Sequence, residues 1–327
     1  MSLHDGGGSP TGEHVSFYDE RYLGDYMEGW EQSKKDRVSG MISCLGLSDK
    51  ARVLDLGCGR AECTLAIKRA HPAWEIHGFD ISSIAIEKNR SRYPEVEFHT
   101  PESLPTGTFD LIYSHHVLEH VEDLDTTLAW TASLVRPGGL ALHILPCGNP
   151  GSFEHWITRL VRNGVEPSTG RFHFEEPSHM RRLRSDQLTQ LCRRHRFELR
   201  SASFACHFWG AVRWITESNP ALVVKLLDPR RGTDTLARAK LGVLLALLLP
   251  VAMARIPSRS EKALQKLAGR ISVGGIHWRA AKMLLSAGRP VAEWLETNLD
   301  HRTEEEWQRR KSDPGGSEMY LLFERQV

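Results

Sequence analysis

The sequence predicts an α/β fold, a doubly wound sheet covered by helices on both faces, and three observations carry that expectation. Apolar, β-rich segments fall near 52–56, 76–79, 96–99, 109–114, 140–145, 197–205 and 319–324. The first five alternate with helical patterns, which is the rhythm of a parallel sheet. Gly57 and Gly59 follow the first strand, and Asp80 closes the second. In open α/β sheets ligands bind at the carboxyl ends of the strands. Glycine there lets the backbone approach a ligand with no Cβ in the way. A carboxylate roughly 20 residues past such glycines can accept both hydroxyls of a ribose.

Residues 1–14 are rich in Gly, Ser, Pro and Thr and are expected to be disordered. Tyr18, Tyr22, Tyr26 and Trp30 then recur every four residues. That spacing overshoots the helical period by about 40° per step, so the rings form a slanting stripe on one helix face. Arg52 to Leu56 is a short buried strand, and Glu62 to Ala70 is helical. Ile76 to Phe79 forms the second strand. A helix over Ser185–His195 precedes the sixth strand, Phe197 to Phe204. Met319 to Glu324 forms the last strand after a Pro314-Gly315-Gly316 turn.

The glycine spacing discriminates between cofactors. A dinucleotide site uses Gly-x-Gly-x-x-Gly. Here the run is Asp55-x-Gly57-x-Gly59-x-x-Glu62, with no third glycine and with an acid inside the strand. A pyrophosphate would be repelled by Asp55, whereas an ammonium group would be attracted. This run resembles motif I of the class I S-adenosylmethionine-dependent methyltransferases. Further matches follow in order: Asp80, Phe109-Asp110-Leu111-Ile112, Val117-Leu118-Glu119-His120-Val121 and Leu134-Val135-Arg136-Pro137-Gly138-Gly139-Leu140. Together they span about residues 48–146.

The resemblance implies a Rossmann-like seven-stranded sheet of order 3-2-1-4-5-7-6, with S-adenosyl-L-methionine as cofactor. It implies that Asp55, Gly57, Cys58 and Gly59 hold the methionine portion, that Asp80 binds the ribose and that Ile81 packs on adenine. Thr100 stands where many relatives place an Asp, so Glu102 is the candidate for the adenine amine. Ser114 and His115 would line the methyl-transfer face. An N-terminal helical lid, residues 15–47, would lie over the cofactor and bring Tyr26 to it, with Tyr22 toward the substrate. Packing of the aromatic stripe on the core alone is the competing expectation.

Methyl transfer requires a nucleophile in line with the methyl group, exclusion of water, and a base where the nucleophile carries a proton. His115, His116 and His120 are the candidate bases, because histidine titrates near neutrality. Val117-Leu118-Glu119-His120 also resembles the Glu-x-x-Glu-His metal element of ubiquinone-pathway and small-RNA methyltransferases. Here His116 replaces the first Glu, which would place His116, Glu119 and His120 on one helical face as divalent-metal ligands.

Two excursions interrupt the sheet pattern. About 40 residues separate the fifth strand from the helix at 185, and loops beyond about 15 residues usually carry function or structure of their own. His155, His173, His179 and Arg181 in this excursion are the substrate-binding candidates, together with Tyr22. Glu175, Glu176 and Arg182 lie among them, and an arginine fork can grip a carboxylate or phosphate. Residues 206–317 read as a mainly helical cap holding Trp209, Trp214, Trp278, Trp294 and Trp307. The core is then 48–205 plus 318–327.

Net charge is +1, so no global field points to nucleic acid; DNA is excluded and RNA is disfavoured. Six cysteines form no CxxC pair and read as reduced thiols. With no secretory-signal pattern, a cytoplasmic protein is expected. The apolar run Leu241–Ala254, at about 1.5 Å per residue, is shorter than a hydrocarbon core of about 30 Å, and Pro250 is expected to break it. It reads as a buried helix, a homodimer interface or a peripheral membrane contact flanked by Arg238, Lys240, Arg255 and Arg259. The functional expectation is methyl transfer to a small-molecule or lipid-linked acceptor, chiefly at oxygen with a His base. Alternatives are metal-assisted transfer, including to an RNA 2′-hydroxyl, and a non-catalytic cofactor-binding partner protein.

Overall fold

The computed structural model describes residues 12–24, 32–103, 107–217, 220–257 and 275–327. Tyr26, Trp30, Arg259, the Trp278 side chain and residues 1–11 of the expected disordered stretch lie outside the described residues. The chain groups into two compact units. One comprises 1–146, 183–202 and 319–327, the other 147–182 and 203–318. Residues 147–182, read from sequence with the core, thus cluster with the insertion.

The first unit opens with α1 (Gly12–Leu23) and α2 (Gln32–Ser43). The alternation follows: β1 (Arg52–Leu56), α3 (Glu62–Ala70), β2 (Glu75–Phe79), α4 (Ser83–Arg92), β3 (Glu97–His99), β4 (Phe109–His115), α5 (Leu124–Leu134) and β5 (Val135–Pro146). After the second unit's first segment, whose helix is α6 (Phe153–Leu160), come α7 (Ser185–Arg194) and β6 (Phe197–Ala205). The last strand is β7 (Glu318–Arg325). The sheet order is β3-β2-β1-β4-β5-β7-β6, as the resemblance implied.

β1 lies between β2 and β4, parallel to both. Its Val53, Leu54, Asp55 and Leu56 are all buried, as a strand covered on both faces requires. The register sets Leu56 beside Phe79 and Ser114, so the ends of β1, β2 and β4 reach one level. That level is where the glycine loop, Asp80 and His116 leave the sheet.

The second unit is helical: α6, α8 (Trp209–Glu217), α9 (Pro220–Leu226), α10 (Thr235–Ala254) and α11 (Gly275–Arg310). Ile157, Phe172, Phe174, Ile215, Leu226 and Leu241 anchor its core, with Trp209 and Trp214 packed on it. Glu306 of α11 reaches the start of α8. Its carboxylate accepts from the N–H groups of His207, Phe208, Trp209 and Gly210 at 3.0, 2.8, 2.7 and 3.2 Å. A side chain from a distant helix thus satisfies the orphan donors of the first turn. Arg255 is fully buried. Its fork pairs with Glu296 at 2.5 and 2.9 Å and also donates to Arg213 O.

Pro250 does not end the apolar helix. α10 runs through it to Ala254 and begins at Thr235, where Asp234 caps the helix by accepting from Ala237 N at 2.8 Å. Pro250 removes one hydrogen bond of the helix ladder, and it does so on an exposed position, where water can reach the carbonyl left without that donor. At 20 residues, α10 is long and apolar enough to cross a membrane, contrary to the length inferred from the Leu241–Ala254 run alone. Nor is the run buried throughout. Leu241, Leu248 and Ala252 face the core, while Leu236, Val243, Leu247 and Met253 are 63%, 59%, 61% and 52% exposed.

Candidate active site

The chain between β1 and α3 turns back on itself. Gly57 N and Cys58 N both donate to Phe79 O, at 2.7 and 2.8 Å, which binds the loop to the end of β2. Gly57 (φ 78°) and Gly59 (φ 49°) adopt left-handed conformations that L side chains rarely take. A Cβ on Gly57 would lie 2.4 Å from Val117 Cγ2. A Cβ on Gly59 would lie 2.6 Å from the Tyr22 hydroxyl. The glycine pair therefore answers both to backbone conformation and to close approach from two sides.

Asp80 completes the cradle. Its Oδ2 accepts from Gly59 N at 2.9 Å and its Oδ1 from Ser82 N at 2.9 Å. Burial pushes its carboxyl up to about 6, against the pull of the Ser82 and Gly59 bonds. Asn89 Nδ2 donates to Gly59 O at 2.7 Å, fixing the loop from the α4 side. Asp55 faces inward from β1. Its Oδ2 accepts from Thr64 Oγ1 at 2.6 Å and from the Tyr113 hydroxyl, and burial raises its carboxyl to about 7. Cys58 is buried, and burial raises its thiol. Glu102 occupies an exposed turn, where a Thr100 hydrogen bond lowers its carboxyl.

α1 is latched beside this loop. Ser82 Oγ donates to Asp19 Oδ1 at 2.6 Å, Lys88 Nζ to Tyr22 O at 2.7 Å, and Arg60 to Gly24 O. Tyr18 and Tyr22 are buried against Ala85, with Ile81 and Ile84 packed on them. Two rings of the predicted stripe therefore face the cradle, and Ile81 sits under them.

Residues 116–120 do not form a helix. His116 has φ 55°, outside the right-handed helical region, and the following residues make a turn closed by His120 N donating to Val117 O at 2.9 Å. The expected shared helical face of His116, Glu119 and His120 is therefore absent. His116 Nδ1 instead lies 2.9 Å from Glu119 Oε1. Burial works to raise the Glu119 carboxyl, but the His116 hydrogen bond and the nearby His116 and His120 charges leave it below its ordinary value. His120 meets Tyr18 edge-on, with ring centroids 6.1 Å apart, so it stands between the β4 end and α1. His115 is buried with Nδ1 3.8 Å from Cys63 Sγ. Ser114 is buried and shares a 2.8 Å hydrogen bond with His143, whose imidazole burial lowers to about 4.

Within the second unit, His155 lies on α6 with its ring 6.1 Å from Phe172. His173 Nε2 is 3.2 Å from Leu226 O, and His179 Nδ1 is 3.3 Å from Glu175 Oε2. Arg181 is half-buried. Arg182 does not offer its fork to an anion. Its nitrogens reach Glu175 Oε1 at 2.5 Å, Glu154 Oε2 at 3.0 Å, Cys147 O at 2.9 Å and Ser317 O at 2.9 Å. It is a buried structural hub, stacked 3.9 Å from the Phe172 ring.

Sequence reasoning missed Asn89, Thr64, Tyr113 and Asp19. Each supports the cradle through one side-chain atom placed from another element. Spacing gives no signal for them, except that Asp19 lies one residue past Tyr18 on the aromatic helix.

This sheet order, a glycine loop on β1 and a buried carboxylate closing β2 define a nucleotide-type cofactor domain. The methyltransferase domain profile matches residues 34–202, just over half of the 327 residues. The chain belongs to this family, within the class I S-adenosylmethionine-dependent methyltransferases. It is 30% identical over 139 residues to trans-aconitate 2-methyltransferase of Methylobacterium radiotolerans, covering 40% of this chain and 52% of that one. It is 29% identical over 181 residues to the ubiquinone biosynthesis O-methyltransferase of Bordetella avium, covering 47% and 74%. The solved phosphoethanolamine N-methyltransferase 2 of Haemonchus contortus superposes with TM-score 0.46 at 13% identity, covering 95% of this chain and 56% of that one. The chain spans about half the length of the first curated relatives it matches.

Proposed function

We propose that this chain methylates an oxygen of a small-molecule acceptor, with His120 as general base. The observation that carries this reading is the cradle. Gly57 and Gly59 turn the loop through left-handed conformations with no side chain of their own over its backbone, and Asp80 presents a buried carboxylate beside them. Those residues fit S-adenosylmethionine, which when bound supplies an electrophilic methyl group on a sulfonium. Asp80 would accept the ribose hydroxyls with the lone pairs that Gly59 N and Ser82 N leave open. The buried Asp55, carried by Thr64 and Tyr113, would set a negative potential under the ammonium. Tyr18 and Tyr22 would exclude water from above. His120, beside Tyr18 and next to the Glu119 carboxylate, would take the acceptor's proton.

Relatives named for trans-aconitate and for O-methylation in ubiquinone biosynthesis favour a carboxylate or phenol acceptor, of which the phenol carries a proton for His120 to take and the ionised carboxylate needs no base. The test is transfer of a radiolabelled methyl group to a panel of small carboxylic acids, phenols, amines and thiols. Label recovered in a base-labile ester or a stable aryl ether supports oxygen as the acceptor. Label only in amines or thiols contradicts it.

A second reading, a lipid-linked acceptor, has one specific observation in its favour. α10 carries an outward apolar face of Leu236, Val243, Leu247 and Met253, with Arg238 and Lys240 exposed near its start. Such a helix can rest in a membrane interface with its cations toward lipid headgroups. Turnover that requires vesicles would favour this acceptor.

A further inference from the structure

The two strands at the β3 edge of the sheet carry the same short pattern. β2 begins Glu75-Ile76-His77 and β3 reads Glu97-Phe98-His99. A strand repeats its facing every second residue, so each Glu and His share a face. The register pairs His77 with Glu97 and Phe79 with His99, which brings both patterns to the same face.

Three lone-pair atoms converge there. His77 Nδ1 is 2.9 Å from His99 Nε2 and 3.5 Å from Glu97 Oε2, and His99 Nε2 is 3.9 Å from that oxygen. A point equidistant from the three lies about 2.0 Å from each, the length of a zinc bond to imidazole or carboxylate. The outer ring nitrogens are already committed. His77 Nε2 donates to Glu75 Oε1 at 2.7 Å, and His99 Nδ1 donates to Ser103 O at 2.8 Å. With the outer nitrogens held by acceptors, the inner nitrogens of the two rings face each other at 2.9 Å, with a carboxylate oxygen alongside. That arrangement calls for a cation at the centre. Donation of the second ring N–H to a carboxylate or a carbonyl is also how metal-bound histidines are held.

We infer that His77, His99 and Glu97 bind a divalent transition-metal ion, zinc by donor type, at the edge of the sheet. Imidazole and carboxylate donors favour zinc over magnesium, which prefers oxygen alone. His77 is fully buried, whereas the Glu97 side chain is 69% exposed, which leaves one coordination position open to water. Arg52 Nε lies 2.6 Å from Glu75 Oε1 and so keeps that carboxylate as a support rather than a ligand. The ion would clip β3, a strand of three residues, onto β2. The inference does not depend on the methyl-transfer proposal.

The test is a zinc titration of chelator-stripped, tag-free full-length chain against a chromophoric competitor. Wild type should take up one equivalent, and its Tm should rise by at least about 3 °C in zinc. Glu97→Ala, a change at an exposed side chain, should weaken uptake at least about tenfold with an unchanged circular dichroism spectrum. His99→Gln should abolish it. No uptake by wild type would overturn the inference and leave the two rings sharing a proton. Undiminished uptake by both variants would place the metal elsewhere and overturn it equally.

Discussion

Gly59 N donates to Asp80 Oδ2 at 2.9 Å, so the loop after β1 and the residue that ends β2 are one structural unit. Asn89 holds the other side of Gly59 at 2.7 Å, and the Tyr22 hydroxyl stands over it. A residue read from sequence as a ribose acceptor thus also shapes the loop that would hold the rest of the cofactor.

Gly57→Ala should lower stability by about 2–4 kcal/mol, since it combines a left-handed alanine with overpacking against Val117. Val117→Ala in the same chain should recover the overpacking part, roughly 1–3 kcal/mol. Chemical denaturation of the single and double variants measures both, and strictly additive losses would contradict the close approach.

Burial raises the Asp55 carboxyl from its ordinary 3.8 to about 7. For an acid raised on folding, the stabilising contribution is complete below the ordinary value and is lost as pH rises through the raised one. The Tm of wild type should therefore fall relative to Asp55→Asn as pH rises from about 4 to about 8. Parallel Tm profiles for the two proteins would show that Asp55 is ionised throughout.

His120→Gln should lower kcat by about 10²–10⁴ while leaving S-adenosylhomocysteine affinity unchanged, as removal of a general base does. His115→Gln should have a smaller effect on kcat, because His115 is buried against Cys63. Equal losses in cofactor affinity and rate for His120→Gln would assign it to packing against Tyr18 instead.

Leu247 is 61% exposed on the outward face of α10. If this face rests on lipid, Leu247→Asp should reduce co-sedimentation with anionic vesicles at least about tenfold, as a charge placed in the apolar stripe requires. Wild-type protein that stays in the supernatant would remove the lipid-linked acceptor from consideration.

The sheet was legible because its signals are local. Apolar runs fixed β1, β2, β4 and β6, and the glycine pair and Asp80 marked the end where ligands bind. What stayed hidden depends on contacts between distant segments. Tyr113 and Thr64 are ordinary strand and helix residues until the fold brings them to Asp55. The left-handed φ of His116, which turns an expected helix into a bend, comes at the point where the chain leaves β4, with His116 N still bonded to Ile144 O at 2.8 Å. The apolar run Leu241–Ala254 leaves out the first six residues of α10, Thr235 to Lys240, because they mix charges with apolar positions. The paired Glu-x-His patterns were visible in the sequence, but only the β2–β3 register shows that they share a face.

The central claim is that Asp80 and the glycine loop form the cofactor cradle. Calorimetric titration of S-adenosylhomocysteine into wild type and Asp80→Asn tests it most directly. Wild type should bind in the micromolar range, and the variant should lose about 1.5–3 kcal/mol, roughly ten- to a hundredfold, through lost charge-assisted hydrogen bonds. Equal affinity in the two proteins, with both folded, would contradict the assignment of the site.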